Sequence, residues 1–342
     1  MALFVLKAVV PPLLGFSRAP TRVILDYLSL YFVSIASRAF VLFLYIVAAL
    51  PALFMIIQIR MFLLERLGWN FSMSMSESFL LSVIASWVIG SFGIFGMDRE
   101  RDRNGAMKMT EGEVYELLRR NDVILDEDFL RSVDVLVSPG VYGYTYGGLW
   151  FRPRVVIGEE FIQKREQDAV SILLHEFGHV KRGDNNVLLL LNVLRSFFVR
   201  MVAVVESFAF GFLQANSLLT ILGLLFIPLV YVGRFFRWLT VTVAAFDNRM
   251  TELLADTTVF PVYPPEVFAA TIYDTGLNDF SKMHSIEEVK ERFNVLEAQY
   301  QNHSVINEIK DGIRNFFSKN PTEHPPAGLR AYWALQFSEN AI

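Results

Sequence analysis

The chain has 342 residues, 53% of them hydrophobic and 31 of them phenylalanine, a larger apolar share than soluble domains carry, so part of it must contact something other than water. Its net charge of -4 is small and built from both signs, which excludes a nucleic-acid partner recognised through a basic surface. The absence of cysteine excludes disulfides and thiolate ligands, so any metal must be held by nitrogen and oxygen.

Residues 1–16 (MALFVLKAVVPPLLGF) have the look of a signal peptide, but Pro11 and Pro12 break the apolar run and no small-residue cleavage site follows. The stretch reads as retained and interfacial. Val23 to Ser37 carries Asp26 and reads as an amphipathic lead-in. Two uncharged segments of about a bilayer's thickness follow, Ala39 to Ile59 and Ser78 to Met97, and form a membrane hairpin with Pro51 kinking the first span.

Arg99, Arg101, Arg103 and Lys108 come next, against only Arg60 and Arg66 in the hairpin loop. That asymmetry orients the polar regions toward the cytoplasm of a multi-pass cell-membrane protein. VDVLVS (Val133 to Ser138), VYGYTYGG (Val141 to Gly148) and LWFRPRVVIGEEF (Leu149 to Phe161) are rich in strand formers separated by glycine turns, predicting a small sheet.

The segment Asp168 to Val180 (DAVSILLHEFGHV) places Val170, Leu173, Leu174 and Phe177 on one helical stripe, with His175, Glu176 and His179 on the adjacent face. Lys181 and Arg182 suit the negative end of that helix, and Gly183 suits its end. At i and i+4 the histidine roots stand about 5–6 Å apart, so both imidazoles can converge on one ion. Glu176 is turned aside, where it can reach a water activated by the metal. This is H-E-x-x-H, the pattern of a zinc site with a glutamate as general base. The bland alternative is a helix carrying two satisfied histidines.

Val187 to Trp238 forms a second hydrophobic region with a polar break at Gln214 to Ser217. Its later half, Leu218 to Val232, reads as a span. Its earlier half is interrupted by Arg195, Arg200 and Glu206, each a burden of roughly 2.5–3.5 kcal/mol at mid-bilayer, and so either leaves the membrane or lines a polar cavity. Beyond it, Asp247 to Phe260 (DNRMTELLADTTVF) predicts a helix capped at Asp247 or Asn248 and stopped by Pro261. Glu252 and Asp256 share a face there: Glu252 can bind the metal while Asp256 accepts the free ring N–H of a ligating histidine.

HEFGHVKRGD, then TELLAD after a hydrophobic insertion, then EHPPAGLR near the C-terminus resemble, in order, the motifs of the membrane zinc endopeptidases that include HtpX and the CAAX prenyl endopeptidases. The resemblance implies an α+β architecture: a multi-pass α-helical membrane protein with a zincin-like (gluzincin) metallopeptidase domain whose small β-sheet packs on the H-E-x-x-H helix. It implies one Zn2+ held by His175, His179 and Glu252, Glu176 as general base, and Asp256 behind a ligand. His324 and Arg330 match the late His-Pro segment and its arginine, as catalytic groups beside the oxyanion. A proline-rich loop with a structural arginine is the alternative for those two. By the same resemblance Gly143, Thr145 and Gly147 lie on an edge strand that binds substrate, although GYTYG departs from the family's Asn-Ala-Phe-like residues. A structural hairpin is the alternative there.

The expected organisation is an N-terminal segment and membrane hairpin (1–98), a first peptidase part (99–186), a second membrane hairpin (187–240) and a second peptidase part (241–342). The expected function is zinc-dependent hydrolysis of peptide bonds in membrane-associated or misfolded proteins at the cytoplasmic face. The partners are then a protein or peptide substrate and the lipid bilayer. No Gly-Lys pair supports a P-loop, so no ATP partner is expected. The competing readings are a regulatory sensor metallopeptidase and a non-catalytic membrane scaffold with a structural zinc.

Overall fold

The structure is a computed structural model that describes residues 28–40, 43, 44, 77, 84, 106–140, 143–147, 152–214, 218–277, 284–300, 305–316 and 324–339; for some of them, mostly in the two longest helices, it describes the backbone alone. The chain forms two compact units, one of residues 1–35, 100–187 and 245–342, the other of residues 36–99 and 188–244.

The first unit is built on a four-stranded sheet in the order β1 (Met107–Lys108), β2 (Asp134–Ser138), β4 (Arg154–Gly158), β3 (Gly143–Tyr146). β2 and β4 run parallel; β1 and β3 are antiparallel to their neighbours. β4 is the innermost element, and its Val155, Val156 and Ile157 are all buried, as expected of a strand covered on both faces. β3 is an edge strand, open on one side among the described residues.

Helix α1 (Glu111–Arg120) opens with a capping box between Thr110 and Glu113, and α2 (Glu127–Arg131) is capped by Asp126. α3 (Glu159–Lys164) follows β4 directly. α4 (Glu166–Arg182) carries H-E-x-x-H across the sheet, and its Val170, Leu173, Leu174 and Phe177 enter a core shared with Val135, Val155 and Ile157. Each such buried side chain contributes about 1.5–3 kcal/mol relative to exposure. Gly183 ends α4 in the left-handed conformation at φ 68°.

Two long helices follow, α5 (Asp184–Gln214) and α6 (Leu218–Val259). The sequence predicts a fresh helix capped near Asp247, but α6 runs unbroken through it. No glycine or proline lies between Gly233 and Pro261 to interrupt the hydrogen-bond ladder, and Asp247 is buried. Within the second unit, Arg234 holds Glu206 through hydrogen bonds of 2.8 and 2.5 Å, so one of the three charges that interrupt the earlier apolar half is paired.

Among the described residues, no helix is long and apolar enough to cross a membrane. The first apolar pair, Ala39 to Ile59 and Ser78 to Met97, and the segment 1–16 lie almost entirely outside the described residues, as do many side chains of Gln214 to Val232.

Residues 28–40 are helical. The amphipathic character read in Val23 to Ser37 has a protein partner here: Leu30 is buried against Met250, Leu253 and Leu254, on the α6 turns that carry Glu252. Helices α7 (Pro265–Leu277), α8 (Ile286–Glu291), α9 (Phe293–Tyr300), α10 (Val305–Phe316) and α11 (Ala327–Glu339) complete the unit, with α7 packed on α4 and α11.

Candidate metal centre

Gly178 determines how closely α6 approaches α4. A Cβ there would lie 2.3 Å from Thr258 Oγ1 and 3.2 Å from the Ala255 carbonyl oxygen. The missing side chain therefore lets the α6 backbone lie against the metal helix, and Glu252, two turns before Thr258, comes level with the histidines.

His175 Nε2 and His179 Nε2 are 3.2 Å apart, with their rings perpendicular. Glu252 spans both: Oε2 is 3.3 Å from His175 Nε2 and Oε1 is 3.4 Å from His179 Nε2. One ligand atom from each of the three residues lies within 4.8 Å of the others. Two imidazoles and a carboxylate, aimed at a common point from two helices, form a donor set that fits zinc.

Each imidazole has a carboxylate at its far nitrogen. Asp256 Oδ1 lies 2.9 Å from His175 Nδ1, close but not aligned as a hydrogen bond. Asp184 Oδ2 lies 3.0 Å from His179 Nδ1 and is itself held by Arg182 Nε at 3.2 Å. Sequence reading places Asp256 behind a histidine and misses Asp184. The signal available was an acidic residue immediately after the helix-ending glycine, because the left-handed turn at Gly183 folds the next side chain back toward the last turn.

Arg330 on α11 is buried and donates to Asp256 at 2.7 and 2.6 Å, while its Nη1 stands 3.1 Å from Glu252 Oε2. Its single positive charge thus faces both Glu252 and Asp256 of α6. His324 is 65% exposed, and its Nδ1 lies 3.5 Å from Glu252 Oε1. The His324 carbonyl accepts from Arg249, which also pairs with the buried Glu308.

Burial disfavours a charged imidazole at both histidines, yet the carboxylates around them prevail. His175 is raised through Asp256 and Glu252, and His179 is raised to about 10 through Asp184 and Glu252. Burial also acts against charge on Glu252, but Arg330 and the histidines hold its carboxyl well below the usual range. Glu176 moves the other way: burial raises it, against the pull of His175 and His179. Two carboxylates in one site are thereby separated into a fixed anion and a group ready to take a proton.

Of the strand residues, Gly143 faces α4, where a Cβ would lie 2.2 Å from Ile172 Cγ2 and 3.6 Å from Glu176 Oε1. Thr145 donates to Asn185. Gly147 turns the chain at φ 83°, with the Arg152 carbonyl 2.9 Å from where its Cβ would be, so it meets the neighbouring loop backbone.

Residues 113–258 match the model of Peptidase family M48. The M48 match runs from α1 to the end of α6, takes in H-E-x-x-H, Asp184, Glu252 and Asp256, and stops before His324 and Arg330. It supports a metallopeptidase hydrolase, the family's typical metal being zinc. No curated protein matches the chain.

Proposed function

We propose that the chain is a zinc-dependent membrane endopeptidase that hydrolyses peptide bonds of membrane-associated or misfolded proteins at the cytoplasmic face. The observation that carries this reading is the convergence of His175, His179 and Glu252 beside the buried Glu176, whose carboxyl burial shifts upward.

Zinc, when bound, supplies Lewis acidity that makes water a better nucleophile and polarises a peptide carbonyl. The remaining work falls to this chain's side chains. His175, His179 and Glu252 would hold the ion, Asp184 fixes the His179 ring from behind, and Asp256 stands at the far nitrogen of His175. Glu176 takes the proton from the attacking water at its carboxylate and can return it to the departing amine. His324, on the solvent side of Glu252, is placed to donate to oxygen charge that develops on the substrate. The edge of β3, open among the described residues, would offer backbone hydrogen bonds to an extended substrate.

The membrane reading rests on the apolar segments Ala39 to Ile59, Ser78 to Met97 and Leu218 to Val232, and the cytoplasmic one on the arginines after Asp98. The test is incubation of the detergent-purified, zinc-loaded chain with reduced casein, with and without a strong chelator, beside alkaline carbonate extraction of membranes expressing it. New casein N-termini that the chelator abolishes, and a chain that stays in the pellet, are expected. Chelator-insensitive cleavage counts against the metal, and release by carbonate counts against membrane spanning.

A further inference from the structure

Asp184 and Asn185, consecutive residues after Gly183, reach to different elements beside the metal centre. Asp184 holds the His179 ring; Asn185 Oδ1 accepts a hydrogen bond of 2.5 Å from the hydroxyl of Thr145 on β3. Asn185 is 8% exposed, and its Nδ2 is buried without an acceptor among the described residues. An amide kept buried with one end unmet opposes folding. What the residue contributes is therefore the bond at its other end.

That bond acts on the strand at the edge of the sheet, on the face that packs against α4. Among the described residues β3 pairs with β4 alone, and side chains alternate along it, so Gly143 and Thr145 face the same way. At Gly143 the strand passes beside Glu176, and two residues on, about 7 Å away, Thr145 is tied to Asn185.

We propose that Asn185 is a positioning residue for substrate: through Thr145 it fixes the height and register of the edge strand β3 relative to Glu176 and the metal helix. The inference rests on the peptidase reading. A peptide added to β3 inherits the strand's placement, so loosening the Thr145–Asn185 tie weakens peptide binding without touching a metal ligand.

The experiment uses the full chain in detergent, zinc-loaded and carrying Glu176→Gln so that bound peptide survives, with a fluorescein-labelled casein peptide followed by anisotropy. Asn185→Ala and Thr145→Val should each raise Kd about tenfold, the cost of re-ordering a loosened strand on binding, and the double variant no further. Thr145→Ser, which keeps the hydroxyl, should bind like the parent. Zinc content should stay that of the parent, and Tm should fall by no more than the loss of one intramolecular hydrogen bond allows, so that the chain remains folded at the assay temperature. Unchanged Kd in the single variants, or Thr145→Ser as weak as Thr145→Val, overturns the inference. The two readings separate cleanly: if the chain with Glu176 intact cleaves casein while the variants bind normally, only the positioning role falls. If the Glu176→Gln parent does not bind the peptide and the chain with Glu176 intact does not cleave casein, both readings fall.

Discussion

Arg330 grips Asp256 with two hydrogen bonds, of 2.7 and 2.6 Å, across 74 residues of sequence. The pair joins α11 to the α6 face that carries Glu252, and it explains how two carboxylates four residues apart remain stable in a buried site. Arg330→Ala removes the guanidinium that faces both and leaves Asp256 without its two-pronged partner, a loss of about 3–5 kcal/mol in thermal or urea unfolding. Arg330→Lys keeps the charge but not the two-pronged grip and should recover only part of it. Full recovery by lysine contradicts a geometric role.

Asp184 should matter nearly as much as a metal ligand. Its carboxylate fixes which ring nitrogen of His179 carries the proton, leaving Nε2 for the ion. Asp184→Asn should weaken zinc affinity roughly 10–100-fold in a chelator-competition titration while circular dichroism stays that of the parent. An unchanged affinity removes Asp184 from the centre.

Gly178 can be tested by a single methyl group. Gly178→Ala sets a Cβ against Thr258 Oγ1 and the Ala255 carbonyl, forcing α6 away from α4. The expected cost is about 1–3 kcal/mol of stability, with weakened zinc binding because Glu252 moves with its helix. A fully stable Gly178→Ala chain with normal affinity would mean that the helices can separate without disturbing the site.

Proton competition gives a pH dependence with a defined sign. In the metal-free chain His179 is raised to about 10, so near neutral pH the ion must displace a proton, and zinc affinity should climb as pH rises toward 10. Calorimetry in buffers of different ionisation enthalpy should show protons released on binding. Because the folded value exceeds the unfolded one near 6.5, the charged ring stabilises the metal-free fold fully below pH 6.5. That contribution disappears as pH passes through about 10. Metal-free Tm should fall across this window, and a rising Tm contradicts the assignment.

The parts of the site legible in the sequence were those set by local periodicity. His175, Glu176 and His179 follow from one helical turn, the end at Gly183 from its left-handed backbone, and β2, β3 and β4 from short runs of strand formers. The two-residue β1 and the helices α1 and α2 escaped notice, although Thr110 and Glu113 spell a capping box. What could not be read depends on distant approach. Asp184 reaches His179 only after a chain reversal, Leu30 finds its partner 220 residues later on α6, and Arg330 turns inward onto carboxylates rather than toward an open cleft. The unbroken α6 was missed because Asp247 and Asn248 are good caps in isolation, whereas the chain around them offers no break.

The most direct test is the turnover of reduced casein by the zinc-loaded chain beside its Glu176→Gln counterpart, with metal content measured in both. Equal zinc and loss of cleavage by a factor of at least about 100 in the variant are expected of a general base. Equal zinc and equal cleavage would contradict the role of Glu176 and, with it, the hydrolytic chemistry assigned to this centre.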